Sequence, residues 1–241
     1  MRKSVAVPIV AVLVTLACVC AGAFLVLTRN TATEEPEPLA ASTPVTTSTT
    51  PPPPPPPPNV NAGPAPMDVG TFSIEGSVPL VGATYASMPY VLPLDPPGPQ
   101  TTMVRWVEGW GQPPSKAQDG TVYILGHAWA QQQLVFNPIS ERVSADVLLD
   151  APPEQVPAVS GGTVPRYSSS ILNGSKLRTT DEHGAAREWV VDGAWLVGKQ
   201  DAIEDAELVD TTIPGRIILI ACAVKDNQDL DYNVIVSGHL V

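Results

Sequence analysis

Cys222 and His127 are the residues of this 241-residue chain whose types could combine into chemistry. A thiolate is a strong nucleophile, but it needs a neighbour that lowers its pKa or removes its proton, and imidazole is the usual choice. Cys222 is the only cysteine after Cys20. Exported domains generally pair their cysteines or omit them, so a leftover thiol there is a candidate for reactivity. Of the three histidines, His183 lies in the polar Asp181-Glu-His-Gly184 turn and His239 stands two residues from the carboxyl terminus. His127 follows an apolar run and precedes a loop, which makes it the best placed. By type alone, a cysteine ending an apolar strand also reads as an ordinary core residue.

The elements that must position this pair read as mostly β. Short apolar runs are separated by Gly, Pro and Asp signals, without heptads or internal repeats. Strands are expected at residues 72–74, 80–85, 121–125, 142–149, 176–180, 187–191, 194–199, 216–223 and 233–237, with one helix around 138–143. Two runs, Thr121-Val-Tyr-Ile-Leu125 and Ile217-Ile-Leu-Ile-Ala-Cys222, are almost continuously apolar, as strands buried on both faces are. Both end at or beside a reactive residue type, where a rigid strand can aim a side chain into a cleft. Many short strands favour a closed β-barrel over a sandwich or an α/β fold.

The chain divides by composition. Residues 1–4 carry Arg2 and Lys3, and residues 5–27 then run without a charge, long enough to cross a bilayer. A cleaved signal peptide would have a shorter apolar stretch of roughly 7 to 15 residues, so an uncleaved anchor with its amino terminus in the cytoplasm is expected. Cys18 and Cys20 sit inside that run as small hydrophobes. Residues 28–66 are rich in Thr and Pro, with Pro51 to Pro58 consecutive, and read as an extended spacer that builds no core. Residues 67–241 are then one domain of ordinary size.

Charge excludes one class of partner. The net charge of −11 belongs to the domain, because Arg2, Lys3 and Arg29 balance Glu34, Glu35 and Glu37. Nucleic acid needs a basic surface and is not expected to bind. The acidic stretch 201–210 reads as a solvated loop; a calcium loop would need a glycine and a ligand spacing that are missing. One thiol and three scattered histidines make no zinc site, and no metal or cofactor is implied.

Set in order, several segments resemble the sortase family, most closely its actinobacterial class F type. Trp106-Val-Glu-Gly-Trp110 and Asp119-Gly-Thr-Val-Tyr-Ile-Leu-Gly-His-Ala-Trp129 are similar to the approach to the family's catalytic histidine. Val135-Phe-Asn-Pro-Ile139 resembles the turn that follows it. Arg216-Ile-Ile-Leu-Ile-Ala-Cys222 resembles the strand ending in the catalytic cysteine, and Tyr232-Asn-Val-Ile-Val-Ser237 the closing strand. The resemblance implies an all-β, sortase-like closed β-barrel of about eight strands with short helices or turns. It also implies cysteine transpeptidation: Cys222 opens a Leu-Pro-x-Thr-Gly-like sorting signal of a secreted protein, His127 protonates the leaving amine, and the acyl group passes to an amine acceptor such as a cell-wall precursor.

Two positions depart from the family pattern. Ala221 stands where the family has Thr, and no arginine follows Cys222, although sortases carry one on the closing strand. The tail offers Lys225, Asp231 and Asn233, of which Asn233 is the expected oxyanion donor, without the charge or fork of a guanidinium. The missing arginine keeps a second reading open, a catalytically impaired domain that binds sorting signals or wall components. Other cysteine or serine assignments lack their patterns: no Ser-His-Gly-Cys of L,D-transpeptidases, no papain-like order, and no Gly-x-Ser-x-Gly elbow. Trp106, Trp110, Trp129, Trp189 and Trp195 read as core or rim, with Trp129 a candidate to line a peptide groove.

Overall fold

The structure, a computed structural model, describes residues 59–241. Among them are ten strands: β1 (Gly70–Glu75), β2 (Leu80–Pro89), β3 (Met103–Glu108), β4 (Val122–Leu125), β5 (Glu154–Pro157), β6 (Thr163–Ser169), β7 (Lys176–Thr180), β8 (Ala186–Gly198), β9 (Arg216–Lys225) and β10 (Gln228–Leu240). Two helices accompany them, α1 (Asn137–Asp146) and α2 (Ala206–Val209). Eight strands close in the order β10-β9-β4-β3-β2-β1-β7-β8, and β8 returns to β10, while β6 and β5 extend outward from β8. The all-β closed barrel expected from the sequence is therefore present. Pairing is antiparallel except for β2 with β3 and β4 with β9.

Closure follows from strands that bury both faces. Along β9, Ile217, Leu219 and Ala221 join an inner cluster with Phe72, Tyr85, Trp106, Ile124 and Trp189. Ile218 faces outward into a second cluster with Tyr123, Leu125, Val197 and Ile235, covered by Val156, Val164 and Leu208 from β5, β6 and α2. Each fully buried aliphatic side chain contributes about 1.5–3 kcal/mol, so the alternation that holds β4 and β9 central also fixes their register.

Several elements differ from the sequence reading. Residues 142–149 are not a strand; α1 runs to Asp146 because Ile139, Ser140, Val143 and Ser144 recur at helical spacing and are all buried. Asp192-Gly193 does not divide two strands; β8 continues through it with Asp192 bulged out of the pairing, since Ser237 of β10 pairs with Gly193 and Gly238 with Val191. There Gly238 lies against β8 so closely that a Cβ would stand 2.6 Å from the Val190 carbonyl oxygen. The β9–β10 hairpin turns at Asp226-Asn227, both with positive φ (51° and 58°), as a type I′ turn requires.

Composition assigns residues 59–66 to the spacer, and they build no core, but they dock on the barrel through polar contacts. Asn61 is buried; its Nδ2 donates to the carbonyls of Glu188 (2.8 Å) and Val241 (2.6 Å), and its Oδ1 accepts from Glu188 N (2.9 Å). Asp181 accepts from the amides of Met67 (3.0 Å), His183 (2.9 Å) and Ala185 (2.9 Å). These bonds, that from Met67 foremost, hold its carboxyl below the usual carboxylate range. A depressed folded pKa contributes stability above the unfolded value near 3.9, and this is lost as pH falls through the lower folded value. Asp181→Asn is accordingly expected to lower stability at pH 7 and to flatten its decline toward pH 3, measured by urea unfolding. A decline as steep as the parent's would remove this role.

The expected anchor at residues 5–27 and most of the expected spacer lie outside the described residues. Among the described residues no helix is long and apolar enough to cross a membrane.

Candidate active site

Three neighbouring strands bring the sequence-predicted residues to one rim of the barrel. β4 and β9 are parallel, with Leu125 the partner of Ile220, and Gly126 N donates to the Ile220 carbonyl (3.1 Å). The pairing ends there: His127 lies two residues past the end of β4, in the loop that leaves it, and Cys222 two residues beyond Ile220 in β9. On the other side of β9, Asn233 of β10 is the direct cross-strand partner of Cys222. Strands lie about 4.8 Å apart, so thiol and amide are immediate neighbours, with the imidazole just past the end of β4. All three line one cavity of about 690 Å³, whose walls include Tyr90, Trp110, Leu208 and Ile235. Cys222 is exposed, not buried in packed hydrocarbon.

Each side chain has a structural reason for its place. Gly126 lets the chain turn off β4 against Phe136, since a Cβ there would stand 2.4 Å from that ring. The loop beyond His127 is tied by Asn137, fully buried, which accepts from the amides of Trp129 (2.9 Å) and Leu134 (3.0 Å) and donates to the Trp129 carbonyl (2.9 Å). Behind the thiol, Ser140 of α1 donates to the Cys222 carbonyl (2.8 Å) and accepts from Val224 N (2.8 Å). It supplies partners where the β9–β10 ladder is irregular, between Asp229 and Asn233. Ser140→Ala would leave two buried backbone groups unpaired at about 1–3 kcal/mol each. We expect a clear drop in thermal midpoint together with altered alkylation of Cys222; an unchanged midpoint would mean that water takes over both bonds.

His127 is engaged by its own chain. Its Nε2 lies 2.8 Å from the Pro96 carbonyl oxygen, so Nε2 carries the hydrogen and donates it. The Asp95 carboxylate is 3.5 Å away. Residues 92–96 thus form one wall of the cavity, with Arg105 holding the Pro97 carbonyl through Nε (2.9 Å).

The opposite wall, around α2, is pinned by two buried arginines. Arg166 Nε donates to Asp205 Oδ2 (2.6 Å), its Nη1 to Glu207 (2.6 Å), and its guanidinium lies 4.3 Å from the Trp195 ring centre. Arg216 Nη1 donates to the Glu207 carbonyl (2.7 Å), and the Tyr123 hydroxyl, its pKa pushed up to about 12 by burial, donates to the Leu208 carbonyl (2.7 Å). The acidic stretch is therefore only partly a solvated loop: Asp205 is fully buried in an ion pair. Among the described residues no group of His, Cys, Asp or Glu is arranged to hold a metal ion.

Other candidates fall elsewhere. His183 and His239 are exposed, His239 paired with Asp192 (2.7 Å). Trp129 does not line the cavity; Trp110 does, stacked on Tyr123 with ring centres 3.9 Å apart. Ala221, where the sequence places a wall of the site, packs in the inner core and also lines this cavity next to Cys222. Lys225 reaches the Val147 carbonyl (3.3 Å), outside the cavity. Sequence reasoning did not single out Lys199 or Asp95, which both line it; each sits in a segment whose only local signal is that of a strand end or a proline-rich loop.

Neither a protein-family model nor a curated protein sequence matches the chain. Solved structures similar to it include sortase A of Listeria monocytogenes, with 14% identity over 71% of this chain and 87% of that one and a TM-score of 0.38. A lid mutant of sortase A from Corynebacterium diphtheriae gives 16% identity over 70% and 69%, with a TM-score of 0.40. Sortase C-1 from Actinomyces oris gives 14% over 76% and 77%, with a TM-score of 0.41.

Proposed function

We propose that the domain is a cysteine transpeptidase of the sortase type, acting on secreted proteins that carry a Leu-Pro-x-Thr-Gly-like signal. The observation that carries this is that His127, just past the end of β4, Cys222 of β9 and Asn233 of β10 line one open cavity. In this reading the Cys222 thiolate attacks the scissile carbonyl carbon and forms a C–S bond, while Asn233 donates to the oxyanion. His127, in its protonated form, gives a proton to the leaving amine as the C–N bond breaks. The incoming amine then attacks the thioester, returns its proton to His127 and releases the thiolate. For this, substrate displaces the Pro96 carbonyl from His127.

The second reading, an impaired domain that binds such signals, draws on the cavity lining, which contains no arginine among the described residues. Incubating the full chain with a thiol-reactive analogue of the signal separates the two. An adduct at Cys222 that His127→Ala slows supports the enzyme; binding of varied signals with no adduct supports the binder.

For residues 5–27 we propose a membrane anchor that leaves the domain extracytoplasmic, with the proline-rich stretch as spacer. Recovery of the full chain in the aqueous fraction after membrane separation would count against it.

A further inference from the structure

Lys199 follows β8 by one residue, and its placement relative to Cys222 can be read from the sheet. Val197 is the cross-strand partner of Asn233, itself the partner of Cys222. Lys199, two residues beyond Val197, shares its outward face, and its amide donates to the Asp231 carbonyl (3.3 Å), which prolongs the pairing. Two strand spacings and two residues of rise put its Cα about 12 Å from that of Cys222, and a lysine side chain spans about half of that gap.

Its charge has no internal use. Asp201 and Asp231 are near in the chain and across the strand, yet Lys199 forms no ion pair or side-chain hydrogen bond among the described residues. The formal charges of the cavity lining are one carboxylate, Asp95 beside His127, and one ammonium, Lys199, at the other side. Much of the rest of the lining is apolar, including Leu208, Val209, Ile203 and Ile235, with Asn233 and Cys222 between the two charges. In a chain of net charge −11, a cation lining the cavity that holds the thiol, without an ion-pair partner among the described residues, is a local reversal of sign.

We propose that Lys199 forms an anion subsite of this cavity, which binds a carboxylate side chain of the substrate peptide within about two residues of the bond that Cys222 attacks. This deepens the transpeptidase reading and rests on Cys222 facing the substrate. Lys199 is a positioning residue: it selects the peptide and fixes its direction across the rim, and takes no part in bond making.

The test uses small probes first. In the full chain, alkylation of Cys222 by iodoacetate and by iodoacetamide is followed by mass spectrometry of the Cys222 peptide, at low ionic strength. The anionic reagent should gain relative to the neutral one in the parent. Lys199→Met should lower that ratio about 3–5-fold, Lys199→Glu should lower it further, Lys199→Arg should keep it, and added salt should erase the difference. Thermal midpoints of the variants confirm that they are folded. Identical ratios in all four proteins overturn the subsite.

Peptides based on Leu-Pro-x-Thr-Gly with Glu or Lys at the variable position then test turnover. A Glu preference that Lys199→Glu inverts supports the substrate assignment, and turnover indifferent to charge overturns it. If no peptide is turned over while the alkylation ratios respond, the subsite stands and the transpeptidase reading falls.

Discussion

Replacing Cys222 with Ala is expected to abolish thioester formation on a sorting-signal peptide, and His127→Ala to slow it by about 10²–10⁴-fold. The asymmetry is chemical: without sulfur no C–S bond can form, whereas without imidazole the reaction loses a proton donor that water replaces poorly. The two side chains can be tested separately, because Cys222 lies in β9 and His127 follows β4, two neighbouring strands whose parallel register pairs Val122 to Leu125 with Ile217 to Ile220. His127→Ala removes one side chain from the cavity wall and leaves that register intact. Asn233→Ala, across the ladder from the thiol, should cost up to about 10²–10³-fold in acylation if its amide serves the oxyanion. An undiminished rate of peptide acylation in His127→Ala would end the acid role, and acylation that persists in Cys222→Ala would move the nucleophile elsewhere.

A second large effect is expected in stability. Asp205→Ala should destabilise the domain by about 3–5 kcal/mol, the range seen when one partner of a buried ion pair is removed. Asp205 is fully buried and the Arg166 side chain is 6% exposed, so the guanidinium would keep only Glu207, which is itself half exposed. The same carboxylate caps α2 by accepting from Leu208 N (3.1 Å), adding a lost cap of about 1 kcal/mol. Since α2 and the residues before it wall the cavity at Ala202, Ile203, Leu208 and Val209, the variant should also alkylate at Cys222 with changed selectivity. Urea denaturation measures the first effect. A shift under 1 kcal/mol would mean that the guanidinium finds water or another carboxylate once Asp205 is gone.

Some misreadings of the sequence have local causes. Residues 142–149 have strand-like apolar content, but Val143 belongs to a helical set that begins at Ile139 and faces the barrel. β5 and β6 escaped notice because Pro157 and Pro165 argue against strands, yet Pro157 ends the outermost strand, where a missing N–H costs no ladder bond. Asp192-Gly193 is a sound turn signal that the long β8–β10 pairing overrides.

The sequence by itself determined the all-β class and the two doubly buried central strands, because apolar periodicity is a property of short segments; it brought His127 and Cys222 forward through the resemblance of several segments in order, since a thiol ending an apolar strand also reads as core. Only the tertiary structure decided what surrounds them: Ser140 behind the thiol, Asp95 and Pro96 against the imidazole, Asp205 locked under Arg166, and Lys199 over the rim. These meetings join residues from 23 to 82 positions apart along the chain, and they depend on register, closure and loop packing, which no local pattern encodes.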